Sequence, residues 1–374
     1  MPDSAEFSTF CILRPGNLQV VHILYFITAH GYGHAVRATA IANRIPPEVK
    51  ITFKTNIPGS FFKEEMLRSF CCEPGEYDCG CIQSSGVTVD MEQTLKTYVS
   101  LEERNSKSIE RELLWCRRNK VDCILSDITP FAFEIAHRLG IVSIAISNFT
   151  WFDIYSEYAA YFPDFRPVLD NIQTQYSYAD MLLALQPPLQ MDYFRRKQSV
   201  PVVGRKGKNV RELVMLKYRL SENKKLGLIY VGDFGMGDAQ WQRLAEIEDW
   251  EFLGLHPLSG NPSNYHIINK KEFRYQDLTA SCDVVISKLG YGVVSECFLN
   301  GIPLIYLPRA LFAEYPALEK AVQFWGGGIR LDEESFLKLD WKEALERAAS
   351  QKKPLPVESD GAGICAQKIL ELLK

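Results

Sequence analysis

His30, Gly31, Gly33 and His34 fall together in HILYFITAHGYGHAVRATAIANRI, residues 22–45, where an apolar run gives way to an amphipathic one. Glycines there tolerate positive φ and let a ligand approach the main chain, and the first turn of a following helix offers N–H groups without partners. A phosphate or a sugar hydroxyl suits such a loop. His34 is either a structural histidine or, if a carboxylate orients it, a general base for a hydroxyl. Asp127 ends the run VDCILSD just before Pro130, where a helix should start, so it is that carboxylate, a helix cap, or both. Asn148, Trp151 and Tyr155 follow the run IVSIAIS and offer the polar and stacking faces of a sugar pocket, or plain core.

A second constellation lies in CDVVISKLGYGVVSECFLNGIPLIYLP. Lys288, Gly290 and Gly292 precede a helix pattern whose first turns carry Ser295 and Glu296. Glycine amides, a helix N-terminus and a mobile positive charge favour a diphosphate. Glu296 would stand at the height of a ribose diol, or merely complement the helix dipole. Gly235, in YVGDFGMGD, could line the phosphates from the other side. A dinucleotide fingerprint is weak in the first loop. It lacks the third glycine register, and the following strand ends in Asn56 rather than an acid.

These loops must hang on a scaffold. The chain has 374 residues, enough for two domains. With 42 basic and 46 acidic residues and a formal charge of −4, it carries no footprint for nucleic acid or an acidic membrane. No window reads as an integral membrane segment, and MPDSAEFSTFCILRPG lacks the features of a secretory signal, so a cytoplasmic location is expected. The ten cysteines should then be mostly free thiols. Cys71, Cys72, Cys79 and Cys81 lack the paired C-x-x-C spacing of a zinc site and read as a hairpin or loop. Apolar runs alternate with amphipathic segments throughout. VVHILYFI, VKITFKT, VDCILSD, IVSIAIS and DMLLAL read as strands, as do LGLIYVG, WEFLGL, CDVVISK and IPLIYLP, with helices over 90–119, 130–139, 291–300 and 340–349. Parallel sheets covered by helices follow, with 186–225 as an aperiodic linker. Ligands of such sheets sit beyond the carboxyl ends of the strands, where both glycine loops lie.

The layout resembles the GT-B glycosyltransferases. SKLGYGVVSECFLNGIPLIYLP is similar to the donor block of the N-acetylglucosaminyltransferase family of peptidoglycan-precursor synthesis. AHGYGHAVRATAIA more closely resembles the glycosyltransferase-like domain found alone in bacteria and fused ahead of the kinase in plant arabinokinases. The resemblance implies an α/β, GT-B fold of two doubly wound, Rossmann-like domains with a cleft between them. It implies an acceptor-side domain over 1–200, a nucleotide-sugar domain over 201–358, and a terminal helix over 359–374 packing back on the first. A nucleotide sugar, commonly a UDP-sugar, would be the donor, with no tightly bound cofactor and no metal. Gly290 and Gly292 would approach the diphosphate with Lys288, Tyr291, Ser295 and Gly235 around them. Glu296 would bind the ribose, the 273–277 loop with Phe273 and Arg274 would meet the base, and Glu314 would lie near the donor sugar. His34, supported by Asp127, would be the base of an inverting transfer to an unidentified hydroxyl. His30, Gly31, Gly33, Asn148 and Trp151 would stand on the acceptor side. A non-catalytic nucleotide-sugar-binding module and a sugar-nucleotide epimerase of the same fold are the alternatives. Glu314 and Glu319 depart from the Gln or Asp-Gln pair of many relatives.

Overall fold

The structure, a computed structural model, describes residues 20–83, 89–231, 239–309 and 311–374. Seven strands make the first sheet: β1 (His22–Ile27), β2 (Lys50–Lys54), β3 (Cys71–Glu73), β4 (Cys123–Asp127), β5 (Val142–Ser147), β6 (Met181–Leu185) and β7 (Lys197–Val200). Six make the second: β8 (Lys225–Tyr230), β9 (Trp250–Gly254), β10 (Tyr265–Ile267), β11 (Val284–Lys288), β12 (Leu304–Leu307) and β13 (Gly328–Arg330). The spatial orders are β3-β2-β1-β4-β5-β6-β7 and β10-β9-β8-β11-β12-β13. Every pairing between these strands is parallel. Both sheets therefore reverse winding at their first strand, between β1 and β4 in one and between β8 and β11 in the other. A crevice opens at the carboxyl edge of each reversal.

Strands buried on both faces need near-continuous apolar sequence, and β1 and β4 are buried along their whole length. The four strands that escape a sequence reading, β3, β7, β10 and β13, have three or four residues each. None is an apolar run. The segment 186–225, expected to be an aperiodic linker, contains β7 and the helix Arg211–Tyr218. β7 is a polar KQSV edge strand whose order comes from its ladder with β6 rather than from hydrophobic pattern. Cys71 and Cys72 lie in β3, not in a loop.

The helices Tyr32–Ala42, Tyr291–Asn300 and Gly361–Leu372 supply residues to one core that also includes Ile23 of β1 and Leu226 of β8, so the lobes share buried surface. The chain crosses between lobes twice, once after β7 and once before the helix Gly361–Leu372, which lies against the helix Tyr32–Ala42. The two crossings touch. A Cβ on Gly361 would stand 2.6 Å from the carbonyl oxygens of both Pro201 and Val202, so only glycine permits this approach. Among the described residues no helix is long and apolar enough to cross a membrane.

Candidate functional site

The first glycine loop leaves β1 at its carboxyl edge, and Gly31, at φ 89°, turns the chain into the helix Tyr32–Ala42. Ile27 and Asp127 are ladder partners, so Asp127 sits at that same edge, on the other side of the winding reversal. Its carboxylate caps no helix; Pro130 occupies the cap position of the helix Phe131–Leu139 and makes no side-chain cap bond. Instead Asp127 Oδ1 lies 2.8 Å from His34 Nδ1. A carboxylate there requires the proton on Nδ1, which leaves Nε2 with a lone pair.

Arg37, one turn beyond His34, completes the arrangement and was not foreseen. Its Nε donates to Asp127 Oδ2 and its Nη2 to Asp127 Oδ1. Nη1 donates to Asn148 Oδ1 at 2.8 Å and Nη2 to Ser147 Oγ at 3.2 Å. Arg37 Nη2 also lies 3.0 Å from His34 Nδ1, a contact without a hydrogen bond while that nitrogen carries its proton. Asp127 is fully buried, Arg37 is 2 % exposed and His34 9 %. Burial pushes the Asp127 carboxyl up, but the Arg37 charge and the hydrogen bonds from Arg37 and His34 outweigh it and hold the group below its ordinary value. Burial likewise opposes the Arg37 charge, and Asp127 more than restores it. A signal existed: Arg37 is three residues from His34, on the same helix face as Ala38 and Ile41.

His30 lies beside Trp151 edge-on at 5.4 Å and parallel to Phe312 of the second lobe at 6.2 Å. Its Nδ1 accepts from the Cys81 amide at 3.2 Å. Burial first, then nearby positive charge led by Arg309, brings its pKa down to about 3, so it is neutral. Trp151 and Tyr155 are fully buried and stack on one another at 5.5 Å, which makes them core rather than open stacking faces. Cys79 and Cys81 sit against the hydroxyls of Tyr155 and Tyr158. Asp78, also missed, accepts from Thr28, just after β1, and from Thr129, two residues after β4, at 2.5 Å each. Burial raises its pKa, partly offset by those two hydroxyls.

The second lobe presents its own uncapped helix. Gly290 is the cap residue of the helix Tyr291–Asn300, as Gly31 is of its counterpart, and no side chain closes either N-terminus. The two loops meet directly: a Cβ on Gly292 would stand 3.4 Å from Gly33 Cα. Cβ atoms on Gly31 or Gly290 would enter open space. Tyr291 is buried, takes a hydrogen bond from the Val203 amide at 3.0 Å, and lies under the Arg37 guanidinium at 5.2 Å. Lys288 is half-buried at the end of β11. Glu314 is buried and accepts from Asn148 across the lobes, while Glu319 accepts from Tyr306 and Tyr315.

The other expected donor residues are engaged by protein groups or stand at the cavity next to them. Ser295 is buried and donates to Gly292 O at 2.9 Å. Glu296 is 2 % exposed and paired with Arg205. Burial raises its carboxyl, with Arg205 working against that. Phe273 is half-buried against the shared core and Arg274 is exposed. Arg274, Gln276 and Arg205 line a cavity of about 320 Å³ together with Asn43, Arg44 and Glu65 of the first lobe. Gly235 lies outside the described residues. Among the described residues no group of three His, Cys, Asp or Glu side chains is placed to hold a metal ion.

No family model matches the chain. An L-arabinokinase of Arabidopsis thaliana is 28 % identical over 358 residues, which is 93 % of this chain and 34 % of that protein. The chain thus spans about a third of the length of the curated relative it matches. Among solved structures, a UDP-glucosyltransferase from Polygonum tinctorium superposes with a TM-score of 0.61 at 14 % identity, covering 95 % of this chain and 93 % of that one. Arabidopsis thaliana UGT89C1 in complex with UDP gives a TM-score of 0.61 at 16 % identity, covering 95 % of this chain and all of the other. Two parallel-sheet lobes wound alike, facing each other through glycine loops, carry the resemblance from sequence into structure: the chain has the GT-B fold of glycosyltransferases.

Proposed function

We propose that the chain moves a sugar from a nucleotide-sugar donor, a UDP-sugar, to an acceptor hydroxyl with inversion at the anomeric carbon. The observation that carries this reading is the His34–Asp127 contact at the winding reversal of one sheet, opposite the uncapped helix N-terminus at the reversal of the other. His34 Nε2 takes the proton as the acceptor oxygen attacks the anomeric carbon, and the bond to the nucleotide diphosphate breaks. The Gly290–Gly292 amides and Lys288 stabilise the departing diphosphate. Glu314 meets the transferred sugar, and the cavity beside Gln276 and Arg274 takes the nucleoside. The division into an acceptor-side domain over 1–200, a donor domain over 201–358 and a returning helix belongs to the same reading. No metal and no tightly bound cofactor enter it. Nine cysteines of the described residues are free thiols, which supports a reducing, cytoplasmic setting.

One contact favours a second reading. Arg37 already engages both Asp127 oxygens, which weakens the support that carboxylate lends a protonated His34. A nucleotide-sugar-binding module without turnover fits that arrangement. Thermal shift against UDP, UDP-sugars, ATP and NAD, followed by product analysis with and without acceptors, tests both. Stabilisation by UDP and acceptor-dependent product support the transferase. Saturable binding without product across a broad acceptor panel supports the module, product from donor alone supports an epimerase, and no response to UDP sinks all three.

A further inference from the structure

Arg205 lies in the first crossing between the lobes, with its side chain only 14 % exposed. Its Nε and Nη2 both reach Glu296 Oε1 at 2.7 Å, and its Nη1 reaches Glu65 Oε1 at 2.8 Å. The main chain around it is tied to the second lobe. Asn300 Nδ2 donates to Arg205 O at 3.3 Å, and Asn300 Oδ1 accepts from the Gly207 amide at 2.9 Å. One guanidinium thus joins the helix Tyr291–Asn300 of the second lobe to the end of the helix Gly59–Glu65 of the first.

The pairing is lopsided. Both nitrogens directed at Glu296 use the same oxygen, and Glu296 Oε2 is buried with no partner. Gln276 Oε1, on a residue that lines the cavity together with Arg205, is also buried and unpartnered. A buried acceptor oxygen without a donor is costly; one lies on the carboxylate that Arg205 holds and one on a residue lining the cavity beside Arg205, and hydroxyls would satisfy both. The carboxylate suited to a nucleotide's ribose is at the same time held by a cation from the crossing segment.

We propose that Arg205 is a latch on the nucleotide site: it competes with the nucleotide hydroxyls for Glu296 while holding the lobes together through Glu65. The competition rests on the nucleotide-sugar reading; the tie between the lobes does not. A nucleotide that takes Glu296 leaves the Arg205 side chain on Glu65 alone, while Asn300 still holds its main chain to the second lobe, so the tie is loosened rather than cut. Glu65 then acts as the resting place for the displaced guanidinium, and its removal commits Arg205 to Glu296.

Two substitutions therefore have opposite signs. Arg205→Gln removes the competitor and should tighten UDP binding at least threefold in calorimetry. Glu65→Gln should weaken it by a similar factor. Weakening in both variants would assign Arg205 to simple structural support and overturn the competition. Hydrogen exchange of the amides across 203–210, measured without ligand, reads the tie by itself. Both variants should exchange faster there, and unchanged exchange overturns the latch whatever UDP does. Should Arg205→Gln fail to fold, Arg205→Lys keeps the charge without spanning both carboxylates and should show the same faster exchange. UDP binding absent from the wild type and both variants overturns the nucleotide reading and the competition with it, while exchange alone then decides the tie.

Discussion

Asn148 Nδ2 donates to Glu314 Oε2 at 2.8 Å across the gap between the lobes, while Asn148 Oδ1 accepts from Arg37 at 2.8 Å. One amide joins the His34–Asp127–Arg37 cluster to the second lobe. Asn148→Ala leaves two buried partners without it and should lower the unfolding free energy by about 1–3 kcal/mol in urea titrations. A loss well below that range would mean that water replaces the amide on both sides.

Arg37 and Asp127 form a buried ion pair in which each is the other's main compensation. Breaking such a pair from one side typically costs about 3–5 kcal/mol, because a charge stays behind unpaired. Arg37→Met and Asp127→Asn should each fall near that range. The double variant should lose clearly less than the sum, since no orphaned charge remains. Strict additivity across the cycle would contradict the pairing.

For His34 the expected signature is kinetic. Removing a positioned general base typically costs 10²–10⁴-fold in turnover. His34→Gln should show a loss on that scale with an identified donor and acceptor, while UDP binding is retained. Full turnover in the variant removes His34 from the chemistry.

Two buried carboxylates respond to pH in opposite directions. Asp127 is held below its ordinary value, so its contribution to stability is complete above the unfolded value of ~3.9 and is lost as pH falls through the native one. Asp78 is held above its ordinary value, so its contribution is complete below ~3.9 and is lost as pH rises through the native one. Asp78→Asn mimics the neutral form. The wild type should therefore gain on this variant as pH is lowered from 7 towards 4, in paired urea titrations. A change of the opposite sign would refute the raised Asp78.

Gly80 is confined by φ 61° and by His30, whose Nδ1 a Cβ would meet at 2.3 Å. Gly80→Ala must shift either the His30 ring or the Cys81 segment. A loss of roughly 1–3 kcal/mol is the scale for forcing a side chain into that backbone region. The His30 resonance should move in the same variant, and an unperturbed ring would show that the loop yields instead.

The architecture was legible because long strands buried on both faces demand unbroken apolar runs, and nine such runs are strands here. The short edge strands were not, since a ladder on one side can order KQSV without any hydrophobic pattern. The His34–Asp127 pairing could be anticipated because Asp127 closes one apolar run and His34 opens the helix pattern after another. Arg37 carried one signal, its place on the apolar helix face with His34, but its partners became visible only once the neighbouring strand ends were placed around it. Arg205 and Asp78 were hidden for a related reason. RKGK reads as a solvated basic run and DCGC as a cysteine loop, and what encloses Arg205 and Asp78 comes from segments far away in sequence.

The contact of Gly361 with Pro201 and Val202 sets the two chain crossings side by side. Two pins on one line make a door hinge rather than a ball joint. Rotation about that line is the cheap motion, and displacement grows in proportion to distance from it. Strands of chain next to the pins scarcely move as the angle changes. Bonds that join the lobes elsewhere, such as the one from the Tyr158 hydroxyl to the Leu311 carbonyl, resist that rotation.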